Sequence, residues 1–502
     1  MNLAALLEAR ATDAGFDPRP AFTVGTADAS ATVTHREVHA GSARAATALA
    51  DLGVGRDDRV LLVLRDGLAF VWAFLGAVRL GALAVPVNPQ LTEADHRFLV
   101  EDSGAVAVVC ESDLVTRFSD GPPSMTADEV ARAAATLAPH AVAAVESTHG
   151  AYAQYTSGAT GAPKAAVHRH GDPLVYHRAC STGALGIHPG DVVLSVSKMY
   201  FAYGLGNSLF FPLLSGASAV LHPGRPRPAE IEALVARHGV TVLFAVPTLY
   251  ASLVAGCSRS AFASVRVAVS AGEILTHGLA ERSREFFGFP LLDGLGSTEV
   301  GQTFASNTID VVRPGTVGRC LAPYEVAVRD DAGRDLPAGT VGALWVRGPT
   351  VLVEYLGRPA ETAAAFDRDW FGTGDLASVD PDGFVHLKGR ADDMEMVGGI
   401  SVAPREIEDL LSGHPAVTEV AVAGVRDGDG ASRLCAFVVT PRAATDTAAT
   451  DTAAMAAELL SLARDRLAAY KVPRSVTVVD ALPRTPTGKL RRFMLRSGQF
   501  GP

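Results

Sequence analysis

From about residue 58 the chain alternates short apolar runs with helical patterns, and that alternation limits the possible folds more than any other feature. Val60-Leu61-Leu62-Val63-Leu64 reads as a strand, Phe70 to Leu80 as a helix, and Ala82 to Val87 as the next strand. Thr92-Glu93-Ala94-Asp95 opens a further helix with a capping box, in which the threonine oxygen takes an orphan N–H and the acid reaches back. Val106 to Cys110 follows as a strand. Such alternation implies parallel sheets with helices on their faces. The longest apolar run, Ala69 to Val87, contains Arg79 and two glycines. It reads as a buried helix followed by a strand, not as a membrane span.

Beyond residue 310 the texture changes. Tyr324 to Val328 and Gly342 to Val346 read as strands of a twisted, turn-rich β unit, separated by Asp330-Asp331-Ala332-Gly333. A charged run at Lys388-Gly389-Arg390-Ala391-Asp392-Asp393 then breaks the apolar pattern. After it, Arg405 to Leu411 reads as a helix, and Val417 to Val425 and Leu434 to Val439 as strands. The expected fold class is α/β: a large N-terminal domain, residues 1–390, of parallel-rich sheets flanked by helices plus a β subdomain, and a smaller, mobile α+β C-terminal domain, residues 391–502. The Ala/Thr/Asp-rich stretch from Ala443 to Ala454 is expected to be a flexible surface loop. No internal repeat is visible.

A formal charge of −10 argues against nucleic acid or an anionic membrane as the main partner. Five scattered cysteines, without a CxxC or Cys/His cluster, indicate neither a disulfide framework nor a zinc site. With Glu8 and Arg10 early in the chain, the N-terminus lacks the plan of a signal peptide, and the cytoplasm fits best.

Two segments carry the chemistry. Tyr155-Thr156-Ser157-Gly158-Ala159-Thr160-Gly161-Ala162-Pro163-Lys164 is a hydroxyl- and glycine-rich loop suited to wrapping a polyphosphate. Its Gly-x-x-Gly-x-x-Lys-Ala spacing is not that of a Walker A loop, so a P-loop NTPase is disfavoured. By itself the loop could equally be a glycine turn between strands. Pro483-Arg484-Thr485-Pro486-Thr487-Gly488-Lys489 presents a lone lysine near the C-terminus, a residue that in most tails is simply solvated.

The glycine loop closely resembles the signature of the acyl-adenylating (ANL) superfamily, which includes acyl- and aryl-CoA ligases, adenylation domains of peptide synthetases and beetle luciferases. Further signatures occur in the family's order: Ser270-Ala271-Gly272-Glu273, Asp293-Gly294-Leu295-Gly296-Ser297-Thr298-Glu299, Gly372-Thr373-Gly374-Asp375, Gly389-Arg390-Ala391-Asp392-Asp393 and Lys489. The resemblance spans essentially the whole chain. It implies ATP held by Thr156, Ser157, Gly158, Ala159, Thr160, Gly161 and Lys164, with adenine framed by Ala271, Gly272, Glu273, Asp293 and Gly294. Asp375 would hold the ribose hydroxyls, Arg390 would lie near ribose and phosphate, and Thr298 would contact the α-phosphate. Glu299 would coordinate Mg2+, a hard oxygen ligand for a hard cation. Lys489 would bridge the acid and the α-phosphate. Asp392 matches the family's hinge, and Gly398-Gly399 the loop lining its pantetheine tunnel. Met396 and Ala165 depart from the family's usual lysine and glycine, which bears on the tunnel rather than on phosphate chemistry.

Lys198-Met199-Tyr200-Phe201-Ala202-Tyr203-Gly204-Leu205-Gly206-Asn207, Val246-Pro247-Thr248-Leu249-Tyr250 and Ser306-Asn307 resemble the benzoate-CoA ligase branch. That likeness implies that Phe201 gates the carboxylate, that Ala202, Tyr203 and Gly204 line a flat slot, and that Gly294 and Gly296 form its other wall. Gly301 and Gln302 stand where benzoate-specific relatives carry bulkier apolar residues and a histidine. A ring bearing hydroxyl or amino groups is therefore expected, with plain benzoate as the alternative. The implied cofactors are ATP, Mg2+ and coenzyme A. The acceptor thiol belongs to coenzyme A or to a separate phosphopantetheinyl carrier protein, since no carrier domain is read after residue 490. Lys471 and Arg474 could meet coenzyme A phosphates. A non-catalytic ligand-binding paralogue is the reading from another class, and a monomer or homodimer is compatible with the sequence.

Overall fold

The structure is a computed structural model, and it describes residues 1–25, 30–156, 162–391, 395–397, 400–426, 432–440, 448–484 and 490–497. Two large sheets form most of it. The six-stranded sheet runs in the order 124–126, 107–110, 59–63, 83–86, 150–156, 164–169. Its pairs are parallel except for the closing hairpin of Gly150–Thr156 with Lys164–Arg169. Val60, Leu61, Leu62 and Val63 are all fully buried. That continuous burial is why the segment reads as an unbroken apolar run: a parallel strand covered on both faces has no polar side.

The nine-stranded sheet has a parallel centre, where Val242–Ala245 lies between Val192–Ser195 and Val267–Ser270. Antiparallel strands finish both of its edges. One apolar cluster joins the two sheets, taking Val60 and Leu62 from one, Val193 and Phe244 from the other, and Phe70 and Phe74 from the helix Leu68–Arg79. Phe74 meets Tyr152 and Phe210 at ring separations of 5.9 and 5.8 Å. Burying each such ring stabilises the fold by about 1.5–3 kcal/mol. The helix can approach its neighbour His35–Asp51 closely because Gly76 has no side chain: a Cβ there would lie 3.0 Å from Ala46 N.

The capping box at Thr92 forms as the sequence implies. Asp95 N donates to Thr92 Oγ1 (3.2 Å) and Thr92 N donates to Asp95 Oδ2 (3.0 Å), opening the helix Glu93–Ser103. The turn-rich unit is an antiparallel sheet containing Glu325–Arg329, Gly342–Arg347, Trp370–Val379 and Val385–Arg390. In it Asp375 pairs with Arg390 across the ladder.

The C-terminal part consists of the helix Pro404–Ser412, the sheet Glu419–Arg426, Ser432–Val439 and Ser475–Val478, and the helix Ala448–Arg466. That last helix corrects one expectation. The second half of the stretch Ala443 to Ala454 is the first part of a helix, not a loop. Alanine has the highest helix propensity of any residue, and a compositional reading overlooks it. Residues 441–447 lie outside the described residues. Ser412 sits against the helix His277–Phe287, where Arg282 Nη1 donates to its carbonyl (3.3 Å) and a Cβ on Gly278 would come within 2.4 Å of the same oxygen. Among the described residues no helix is long and apolar enough to cross a membrane.

Candidate active site

The hairpin that carries the phosphate loop places Thr156 directly opposite Lys164. Ser157, Gly158, Ala159, Thr160 and Gly161 lie outside the described residues. Lys164 extends over the ring of Tyr355, with Nζ 4.6 Å from its centre. The Tyr355 hydroxyl donates to Glu299 Oε1 (3.1 Å). One buried aromatic ring thus ties the loop's lysine to the carboxylate expected to hold metal. Burial, and then the neighbouring Glu299 charge, push the Tyr355 hydroxyl well above its ordinary pKa, so it remains a donor. The turn bearing Thr298 and Glu299 is held from two sides. His168 Nε2 donates to the Thr298 carbonyl (2.8 Å), and Leu352 N donates to the Glu299 carbonyl (2.7 Å). Neither Tyr355 nor His168 belongs to a motif segment, and no local pattern singles them out.

On the side expected to frame adenine, the strand Val267–Ser270 is followed by Ala271, which is buried, and Gly272, whose φ of +86° favours glycine. Glu273 is clasped at both oxygens. Thr248 N and Oγ1 donate to Oε2 (3.1 and 2.5 Å), and Arg484 Nη1 donates to Oε1 (3.0 Å). Burial pushes this carboxyl upward while Arg484 and Thr248 pull it down.

Asp293 lies in the strand Leu292–Gly296, and its carbonyl accepts from Asn307 N (3.0 Å) and Asn307 Nδ2 (3.1 Å). The residue is 7% exposed, and Oδ1 has no hydrogen-bond partner among the described residues. Burial pushes its pKa from 3.8 to about 7, against the pull of Arg405. A raised carboxyl pKa opposes folding only once the group must ionise. The penalty is absent below about pH 4, grows until about pH 7 and is constant above. Asp293→Asn is therefore expected to gain stability relative to the native chain as pH rises through that window, by about 4 kcal/mol. Urea midpoints at both ends of the window check this, and a difference that does not change with pH would contradict it.

Asp375 is brought to Arg390, whose Nη1 donates to the Thr373 carbonyl (2.7 Å) and lies 3.4 Å from Asp375 Oδ1. Gly374 leaves room for that guanidinium: a Cβ there would lie 2.6 Å from Arg390 Nη2. Asp392, Gly398, Gly399 and Lys489 lie outside the described residues, and Lys471 is paired with Glu406 (2.5 Å).

The expected acid slot begins at Phe201, which immediately precedes the short helix Ala202–Leu205. The preceding loop is fastened from within: Lys198 Nζ donates to the His222 carbonyl (2.7 Å), and Met199 N donates to Asp66 Oδ1 (3.0 Å). Gly204 is required by a chain crossing, since a Cβ there would lie 2.0 Å from the Lys198 carbonyl oxygen. Gly296 and Gly301 have similar reasons. A Cβ on Gly296 would come within 2.8 Å of the Gln302 carbonyl oxygen, and on Gly301, at φ +83°, within 3.2 Å of the His168 ring. A Cβ on Gly294 would meet Thr303 Cγ2 at 3.2 Å.

Gln302 is 3% exposed, and its orientation is fixed because Thr303 N and Oγ1 both donate to Oε1 (2.9 and 3.1 Å). Its Nε2 makes only long contacts, 3.4 Å each, to the Tyr203 carbonyl and Asn207 Oδ1. Asn207 is fully buried, with Nδ2 lacking a hydrogen-bond partner among the described residues. Beside Tyr203 the chain therefore holds two amide N–H₂ groups that are incompletely satisfied, in an interior where such groups are costly.

The profile of the family described as AMP-binding enzyme matches residues 9–356, and that of the AMP-binding enzyme C-terminal domain matches residues 406–489. The chain is 45% identical over 498 residues to p-hydroxybenzoic acid–AMP ligase FadD22 of Mycobacterium tuberculosis, covering 99% of this chain and 68% of that protein. It is 37% identical to benzoate–CoA ligase of Thauera aromatica, covering 89% of this chain and 87% of that one. A crystal structure of a benzoate CoA ligase from Burkholderia xenovorans superposes with a TM-score of 0.90 at 36% identity, covering 99% of this chain and 100% of that chain. This chain belongs to the AMP-binding enzyme family.

Proposed function

We propose that the protein activates a hydroxybenzoic acid with ATP, forming aryl-AMP and pyrophosphate, and then transfers the aryl group to coenzyme A as a thioester. The observation that carries the ATP chemistry is the Lys164–Tyr355–Glu299 constellation beside the hairpin of the glycine loop. A carboxylate is a poor electrophile and holds a poor leaving group. One carboxylate oxygen attacks the α-phosphorus, the bond to the pyrophosphate oxygen breaks, and AMP becomes the leaving group. In the second step the thiol sulfur attacks the carbonyl carbon and the carbon–oxygen bond to AMP breaks.

In this reading Lys164 pairs with phosphate oxygens, Asp375 accepts hydrogen bonds from the ribose diol, and Asp293 Oδ1 accepts from a donor on the bound nucleotide. Lys489 offsets charge at the α-phosphorus. The residues present suit Mg2+. Glu299 gives one carboxylate oxygen to Tyr355 and would offer the other to a cation held together with substrate phosphates. Bound there, Mg2+ would neutralise charge on the phosphates. We place the division between an adenylating domain and the domain carrying Lys489 at about residue 390, where the strand Val385–Arg390 ends.

The two amides support the reading of the ring substituent. Gln302 Nε2 and Asn207 Nδ2 are donors, so they favour an acceptor such as a phenol oxygen over an aryl amine. Pyrophosphate exchange across benzoate, hydroxybenzoates and aminobenzoates tests this. A hydroxybenzoate is expected to exceed benzoate in kcat/KM by roughly tenfold or more. A preference for benzoate would overturn the reading of the ring. Transfer to a phosphopantetheinylated carrier protein is the second reading, favoured by the 45%-identical relative, which is described as an acid–AMP ligase. Product analysis with each acceptor separates the two.

A further inference from the structure

Lys489 lies outside the described residues, but both ends of the segment that holds it are described. Arg484 pairs antiparallel with Leu490, and Arg491 N donates to the Pro483 carbonyl (2.8 Å). The side chain of Arg484 reaches from this stem to two carboxylates. Nη1 donates to Glu273 Oε1 (3.0 Å), and Nη2 donates to Glu419 Oε2 (2.8 Å). Glu273 belongs to the loop expected to frame adenine and is itself clamped by Thr248, whereas Glu419 begins a strand of the C-terminal sheet. The three side chains are 24%, 13% and 22% exposed, so solvent and salt screen the contact less than an ordinary surface pair.

From this geometry we infer that Arg484 is a positioning residue: it fastens the stem of the lysine segment to the wall of the nucleotide cleft and so sets where Lys489 stands during adenylation. The inference rests on the adenylation proposed above. An arginine suits the task because its rigid fork serves two carboxylates from separate parts of the chain, which a lysine ammonium cannot do in the same geometry. The stem is short, so loss of the fastening is transmitted to the adjoining lysine, and misplacement of a reacting group by about 1 Å costs roughly a hundredfold in rate.

The test compares the full-length native chain with Arg484→Ala and Arg484→Lys. Three readouts are taken: pyrophosphate exchange with a hydroxybenzoate, thioester formation from supplied aryl-AMP and coenzyme A, and hydrogen exchange of peptides covering the 483–491 stem. In Arg484→Ala, kcat for pyrophosphate exchange is expected to fall by roughly ten- to a hundredfold. The KM for the acid stays unchanged, thioester formation is spared, and the stem exchanges hydrogen faster. Arg484→Lys should recover part of the loss. Combining Arg484→Ala with Glu273→Gln should cost less than the product of the two single losses, because both remove one contact. Equal loss in both half-reactions, or undiminished pyrophosphate exchange, would overturn the inference. If the native chain exchanged no pyrophosphate with any benzoic acid, the adenylation reading would fall. The hydrogen-exchange comparison would still decide the tie, since an unchanged stem refutes it.

Discussion

Lys489→Ala is expected to lower aryl-AMP formation roughly a thousandfold, while thioester formation from supplied aryl-AMP proceeds close to the native rate. The reason is charge. In the first half-reaction an anionic carboxylate approaches an anionic phosphate, and negative charge accumulates around the α-phosphorus. A single ammonium there is worth most, because the surrounding protein screens less than water does. The second half-reaction begins from a neutral acyl carbonyl and expels AMP, so it has no comparable demand at that point. Stopped-flow or radiolabel measurement of each half-reaction separates the two. Equal loss in both would contradict this division of labour and would point to a damaged fold or a different role for the lysine.

Glu299→Gln is the second large effect. The substitution preserves shape, since the Gln side-chain carbonyl can still accept from the Tyr355 hydroxyl that now donates at 3.1 Å. The backbone of the turn, held by Leu352 N and His168 Nε2, is untouched. What disappears is the negative charge, and with it the oxygen ligand proposed for Mg2+. Adenylation is expected to fall by roughly a hundredfold or more, with the Mg2+ requirement displaced to higher concentration and the thermal midpoint little changed. If the variant kept native activity at native Mg2+, Glu299 would not be the metal ligand. A collapsed thermal midpoint would show instead that the Tyr355 contact is mainly structural.

Much of the architecture was legible because burial leaves a pattern along the chain. Strands covered on both faces appear as unbroken apolar runs, such as Val60 to Val63, and the Thr92–Asp95 pair announces a helix start through a contact between residues only three apart. The Ala443 to Ala454 stretch misled because composition hides propensity: its later alanines enter the helix Ala448–Arg466. The glycines of the expected acid slot were legible as glycines, but not for the reason the structure supplies. Gly204 lacks a side chain because the chain crosses the Lys198 carbonyl there, and Gly301 because its backbone is left-handed beside His168.

The sequence by itself determined the layered α/β plan, the order of the nucleotide-binding signatures and the identities of Lys164, Glu299, Asp375 and Arg390 as the groups to watch. The layered plan depends on residues close together in the chain, where periodicity encodes burial directly. The signatures and the expected roles of those four residues are what the resemblance to the acyl-adenylating family implies. Only the tertiary structure decided that Tyr355 joins Lys164 to Glu299, that Gln302 turns its oxygen toward Thr303 and its amide toward Asn207, and that Arg484 spans Glu273 and Glu419. Except for the Thr303 contact, those partners lie far apart along the chain and meet only when the sheets pack. Their energy comes from desolvated, directional contacts, which composition and periodicity do not record.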